Sequence, residues 1–162
     1  MAEVCVMIFM NMNCKISLCE FDSIFLEKSW DWLNDPYINY YSATGLITKG
    51  GQLEWFNSLK TRSNYMIWGV KYQDEPIGAC GLKNIKDGQA EYWGYIGEKQ
   101  LHGQGIGYDM LTSVLIKAEG IHLSKIVLKV LFDNQRAIHL YKKCFFNEFD
   151  RDDKYIYMKR LI

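Results

Sequence analysis

His102-Gly103-Gln104-Gly105-Ile106-Gly107-Tyr108 stands between an apolar run of strand length and a segment whose apolar residues recur at helical spacing. Glycines this close together let backbone N–H groups crowd round an anion with no side chain in the way. A helix N-terminus follows at once, and its unpaired donors and dipole favour a phosphate or pyrophosphate. By spacing, two common owners of such loops fit poorly. A Walker loop needs Lys-Ser/Thr after its last glycine, where Tyr108-Asp109 follow Gly107. A Rossmann turn needs GxGxxG after a first parallel strand, whereas Gly103, Gly105 and Gly107 are each two apart and lie late in the chain. On the loop alone, a glycine-rich turn without a ligand stays open.

Upstream of the loop, Met66 to Lys71, Ile77 to Leu82 and Ala90 to Ile96 are apolar runs of strand length, separated by Gln73-Asp74-Glu75-Pro76 and Lys86-Asp87-Gly88. Both breaks are hairpin-like, so these strands are expected to form an antiparallel meander. Downstream, Met110, Leu111, Val114, Leu115 and Ala118 predict a helix that stops at Gly120. A strand Lys125 to Val130, a helix Asn134 to Lys143 built on Ala137, Ile138 and Tyr141, and a closing strand Tyr155 to Leu161 follow. Nearer the start, Lys15 to Cys19 alternates like a strand, and Asp22 is placed to cap a helix carrying Phe25, Leu26, Trp30 and Leu33. Asn34-Asp35-Pro36 ends that helix, because the residue before a proline is pushed out of the α region. Tyr37 to Ser42 then reads as a loop or irregular turn, and Gly51 to Leu59 as a short helix with Leu53, Phe56 and Leu59 on one face. The order predicts a single α/β (α+β) domain over residues 1–162, a mixed and largely antiparallel sheet flanked by about four helices.

A chain of 162 residues suffices for one domain with a real core and is too short for two enzymatic ones. Nineteen basic residues balance nineteen acidic ones, so no net field draws the protein to nucleic acid or an anionic membrane, and neither partner is expected. Five cysteines, Cys5, Cys14, Cys19, Cys80 and Cys144, show no CxxC spacing, which argues against a disulfide framework and a zinc site. Reduced thiols point to a cytoplasmic location, and no metal is expected. Ala2 to Met10 is apolar but carries Glu3, lacks a basic flank and is too short to span a bilayer, so no signal peptide or anchor is expected there. Met10 and Met12 offer alternative starts, with residues 1–12 then a ragged extension.

The glycine loop resembles the cofactor motif of the GNAT acetyltransferases, Arg/Gln-x-x-Gly-x-Gly/Ala. Gly105 and Gly107 fill both glycine positions with Ile106 between them, and His102 departs from the Arg or Gln of the first position. Downstream, Asn134-Gln135-Arg136-Ala137-Ile138-His139-Leu140-Tyr141-Lys142-Lys143 resembles the family's Asn-x-x-Ala-x-x-Leu-Tyr-x-Lys segment, with Phe145 where a glycine usually precedes the closing Phe146. With Ala90-Glu91 opening the third meander strand, the similarity runs from Tyr65 to Phe146, and the order of elements extends it over nearly the whole chain.

The resemblance implies an N-acetyltransferase with acetyl-CoA as co-substrate, direct attack by a primary amine in a ternary complex, and no metal. It also implies residue roles. Main-chain amides around Tyr95, Ile96 and Gly97, on a strand that splays from its neighbour, receive the thioester oxygen and pantetheine arm. His102, Gly103, Gln104, Gly105, Ile106, Gly107 and Tyr108 grip the pyrophosphate, largely through backbone. Tyr141 is the general acid toward the departing thiolate, a task suited to a phenol of ordinary pKa about 10; the alternative is a helix aromatic packed on the sheet. Asn134 contacts the cofactor, caps the last helix, or does both. Glu91 stands where relatives hold a base that takes the amine proton directly or through water, against the alternative of an exposed strand residue. Glu98 and His102 are lesser candidates, and His139 is expected to be solvated.

In this family the amino-terminal third carries acceptor specificity. Trp32-Leu33-Asn34-Asp35-Pro36, Tyr40-Tyr41-Ser42 and Gln52-Leu53-Glu54-Trp55-Phe56 resemble the branch holding ribosomal-protein alanine, polyamine and nucleotide-aminosugar acetyltransferases. A nucleotide-linked aminosugar is the first choice of acceptor, with Trp32, Tyr40, Tyr41 and Trp93 expected to offer rings to a base or sugar. By periodicity alone, Trp32, Trp55 and Phe56 read as helix core. A peptide N-terminal amine comes second, and a polyamine third, since it wants an acidic pocket that the sequence does not display. A non-catalytic acetyl-CoA sensor on the same fold is the reading of a different class. A homodimer through a sheet edge or the late helices is compatible with the sequence and not demanded by it.

Overall fold

The computed structural model describes residues 14–162. Cys5, the apolar stretch Ala2 to Met10 and the start sites Met10 and Met12 lie outside the described residues. The chain opens with β1 (Ile16–Cys19), and Asp22 caps α1 (Ser23–Asn34) by accepting from the amides of Ile24 and Phe25, as the sequence predicts. The next segment corrects an expectation. Tyr37 to Ser42 is not a loop but the body of α2 (Pro36–Ser42). Asp35 ends α1 and caps α2 in one step, its carboxylate accepting from the amides of Tyr37 and Ile38 at 3.0 and 3.2 Å. Pro36 at the first helical position has no amide to leave unpaired. Asn-Asp-Pro therefore restarts a helix as well as stopping one, and the α-helices number five among the described residues.

Thr48 caps α3 (Lys49–Ser58), which buries none of its residues; Leu53, expected to share a face with Phe56 and Leu59, is 51% exposed. The meander follows as β2 (Met66–Tyr72), β3 (Glu75–Lys86) and β4 (Gln89–Ile96), then α4 (Ile106–Gly120), β5 (Lys125–Leu131), α5 (Gln135–Lys143), β6 (Asn147–Arg151) and β7 (Tyr155–Leu161). Among the described residues, seven strands lie in the order β1-β2-β3-β4-β5-β7-β6, and every neighbouring pair is antiparallel except β4 with β5. This is the mixed, mostly antiparallel sheet that the pattern predicts.

Alternation along the strands sends side chains to two cores. The larger joins Val70, Cys80, Leu82, Ala90, Tyr92, Ile126, Leu128 and Met158 to the buried stripes of α4 and α5. The smaller, on Phe21, Phe25, Trp32 and Ala79, takes in Trp55, Phe56, Trp93 and Tyr95. Among the described residues, no helix is long and apolar enough to cross a membrane.

Candidate active site

The site begins where the sheet comes apart. β4 and β5 pair only over Gln89↔Lys125, Ala90↔Ile126 and Glu91↔Val127. From Tyr92 onward, β4 keeps β3 on one side and, among the described residues, has no strand on the other. The Gly97 amide donates to Ile77 O at 2.7 Å, so Gly97 faces β3. Because bonded and non-bonded pairs alternate along an antiparallel ladder, Trp93 and Tyr95 also turn their backbone groups to β3. Tyr92, Gly94 and Ile96 turn theirs into the splay. The bond from Lys125 N to Gly88 O fits the same parity. Of the expected trio, Ile96 turns its amide to the cleft while Tyr95 and Gly97 turn theirs to β3, and Gly94 shares the parity of Ile96.

The glycine loop lies at the far end of the splay. Gly103 and Gly105 have φ of +79° and +82°, the left-handed region that glycine enters without strain. Gly105 is the N-cap of α4 and offers no side-chain acceptor to the first turn. Tyr108 and Asp109 donate to Gly105 O, whereas the five amides from Gly103 to Gly107 donate to no acceptor among the described residues. Such a row of free N–H groups at a helix N-terminus suits a pyrophosphate. Lys15 steadies it from β1's end, its amide donating to buried Asp109 at 3.0 Å and its Nζ to Gln104 O at 3.2 Å. The Gln104 side chain turns back to Gln100 O.

Between the loop and the splay runs a cleft of about 400 Å³ lined by Gly94, Ile96, His102, Gly103, Gly105, Gly107, Tyr108, Asn134 and Tyr141. Lys83, Lys129, Arg136 and Lys143 also line it, and Glu91 is the one carboxylate among the described lining residues. A chain of zero net charge thus gathers cations where an anionic ligand would lie. Tyr141 is half-buried, its ring edge-on to Tyr92 and tilted against Phe146. Burial pushes its phenol up to about 12, so the protonated form persists. Asn134 Oδ1 accepts from Ala137 N at 3.2 Å as the cap of α5, which leaves its Nδ2 as a donor on the cleft wall.

Glu91 sits at the last β4–β5 pair, where the splay opens. Lys83, directly opposite on β3, holds Oε1 at 3.3 Å, and Asn84 Nδ2 donates to Oε2 at 3.1 Å. Glu98 is turned elsewhere, accepting from Trp32 Nε1 and Gln100, and lines neither cavity described here.

A second cavity, of about 520 Å³, lies on the other face of β4. Phe21, Trp55, Tyr65, Trp93 and Tyr95 wall it, with Ser29, Thr48 and Gln52 as polar groups and Lys83 as its charged lining residue. Burial raises the Tyr65 phenol to about 12. Trp93, Gly94, Tyr95 and Lys83 line both cavities, which therefore meet across β4. Of the rings expected at an acceptor, Trp93 is here. Trp32 is not: it is 6% exposed, packed in the smaller core with its indole N–H on Glu98. Tyr40 lines neither cavity, since its hydroxyl donates to Asp133 at 2.9 Å and ties α2 to the turn before α5. Tyr41 lines the first cleft and not the second. Sequence reading missed Tyr37, Tyr65, Lys83 and Arg136, whose only signal was their nearness to motif residues.

Among the described residues, no group of three or more His, Cys, Asp or Glu is placed to hold a metal ion. The profile described as the acetyltransferase (GNAT) family matches residues 26–146. No curated protein matches the chain. Among solved structures, spermidine N-acetyltransferase from Vibrio cholerae with CoA and spermine is 22% identical, with a TM-score of 0.84 over 92% of this chain and 96% of that one. The Campylobacter jejuni N-acetyltransferase PseH with acetyl coenzyme A is 21% identical, with 0.72 over 90% and 98%. Aminoglycoside acetyltransferase AAC(6')-Ib with coenzyme A is 18% identical, with 0.78 over 90% and 94%. At such identities these likenesses speak for the fold.

Proposed function

The chain belongs to the GNAT acetyltransferase family, and on that premise we propose that it moves the acetyl group of acetyl-CoA directly to the primary amine of a nucleotide-linked aminosugar, with both substrates held at once. The observation that carries this reading is the meeting of two cavities at Gly94, beside the unpaired edge of β4. A donor in the cationic cleft and an acceptor in the aromatic chamber reach each other there.

The free amides of Gly103 to Gly107 fit the donor's pyrophosphate. Acetyl-CoA, when bound, supplies the thioester carbonyl. The amides of Gly94 and Ile96 donate to its oxygen as that atom gains charge. The amine nitrogen bonds to the carbonyl carbon as the carbon–sulfur bond breaks, and Tyr141 passes its phenolic proton to the departing sulfur. Glu91 accepts the proton lost by the amine. Because Lys83 and Asn84 occupy its oxygens, the proton travels through water or one of these partners gives way.

The acceptor chamber supports the aminosugar class. Its aromatic walls suit a base or sugar ring, and its charged lining residue is a lysine, which suits phosphate oxygens. No carboxylate is among its described lining residues, so a polycationic amine finds no counter-charge there.

The test is thiol release from acetyl-CoA with nucleotide-linked aminosugars, peptide amines and polyamines, beside Tyr141→Phe. Turnover with aminosugars, reduced about tenfold or more in the variant, is the expected result. Turnover confined to peptides or polyamines overturns the acceptor class, and tight acetyl-CoA binding without turnover on any amine turns the reading to a sensor.

A further inference from the structure

His102 occupies the loop position where the motif wants Arg or Gln, and its ring is committed elsewhere. Nε2 lies 2.8 Å from Ile96 O, and Nδ1 lies 3.3 Å from Arg136 Nη2. A carbonyl only accepts and a guanidinium only donates. Nε2 therefore carries the proton, and Nδ1 offers its lone pair to Arg136. The same Nη2 donates to Tyr37 OH at 3.2 Å. The guanidinium is thus held from two sides by one nitrogen, while Nη1 and Nε bond to no described residue and no described carboxylate pairs with it. It lines the same cleft as Gly103, Gly105 and Gly107.

Resting on the acetyl-CoA reading above, we propose that Arg136 is a phosphate-binding residue of the donor site, and that His102 and Tyr37 are positioning residues that hold it beside the free loop amides. The cation that the loop's first position lacks is delivered from the first turn of α5. Arg136 is exposed and its free edge is a planar fork, the shape that meets phosphate oxygens in pairs.

The experiment is calorimetric binding, with no turnover involved, using CoA and, as a probe without phosphates, pantetheine. Arg136→Ala is expected to weaken CoA by about tenfold or more and to leave pantetheine within about twofold. The double variant His102→Arg, Arg136→Ala moves the cation into the loop and is expected to regain most of the lost CoA affinity. His102→Phe, with Arg136 kept, is expected to weaken CoA by about threefold through loss of the Nδ1 contact. Unchanged CoA affinity in Arg136→Ala overturns the proposal, as does an equal loss for pantetheine, which would mark a structural role. Failure of the unaltered protein to bind CoA would sink the donor reading itself, whereas CoA binding indifferent to Arg136 sinks this inference alone.

Discussion

The indole of Trp32 lies flat on Gly97, so closely that a β-carbon built on the glycine would fall 2.1 Å from the ring's Cγ. The contact locks α1 onto the exit of β4, and the Trp32–Glu98 bond and the Asp35–Lys99 ion pair reinforce it. Gly97→Ala must displace the ring. We expect a loss of about 3 kcal/mol from overpacking, measured by urea denaturation, with a lowered Tm.

Gly105→Ala and Gly107→Ala should part company. The first puts a β-carbon at a φ of +82°, though nothing crowds it; the second meets only the tip of Leu140, at 3.2 Å, without a positive φ. The left-handed strain of about 1–2 kcal/mol should shift the loop and weaken CoA about tenfold in calorimetry, while Gly107→Ala stays within about threefold. Equal losses would mean that the positive φ of Gly105 does not govern the loop.

Tyr141 and Tyr65 both carry phenols raised to about 12 by burial. Between the ordinary tyrosine pKa of about 10 and that value, the unfolded chain gives up protons that the folded one keeps, so stability falls as pH rises through this window. Below it the two states bind these protons alike and the effect vanishes. Tyr65→Phe should make the alkaline loss of stability shallower in denaturation series run from neutral to high pH, and an unchanged slope would remove Tyr65 from the account.

Glu91→Gln leaves a group that still packs beside Lys83 and Asn84 but cannot take a proton. As the base, its loss should lower kcat by about 100-fold while acetyl-CoA affinity holds. A kcat close to that of the unaltered protein would assign the proton to solvent.

The caps at Asp22 and Asn134 and the meander were legible because each rests on local chemistry: a short polar side chain before an apolar period, or a turn between apolar runs. α2 was not, since Asp35-Pro36 carries the same residues whether it ends a helix or begins the next. β6 was hidden for another reason: Asn147 to Arg151 are all exposed, so no alternation marks them, and their strand form comes from pairing with β7. The glycine loop could be read from its closely spaced glycines, whereas Tyr141 was placed on a helix by spacing and singled out only by the resemblance of its segment to the family's. Which amides of β4 face the cleft could not, because that parity is set by the partner register with β3. Trp32 and Tyr40 are rings whose neighbours, Gly97 and Asp133, lie far along the chain.

Past Glu91 the two halves of the sheet part along a seam that no ladder bond between β4 and β5 crosses among the described residues. A linear thiol lying along that seam would act as a stand-in strand, capping donors that no described residue caps. The cohesion of the fold would then track metabolite supply through mass action. Without it, the amides of Gly94 and Ile96 would stay unpaired donors on a strand edge, the kind of surface that strands of other chains pair with. A co-substrate laid in that seam would then also cover a strand edge that another chain could otherwise pair with.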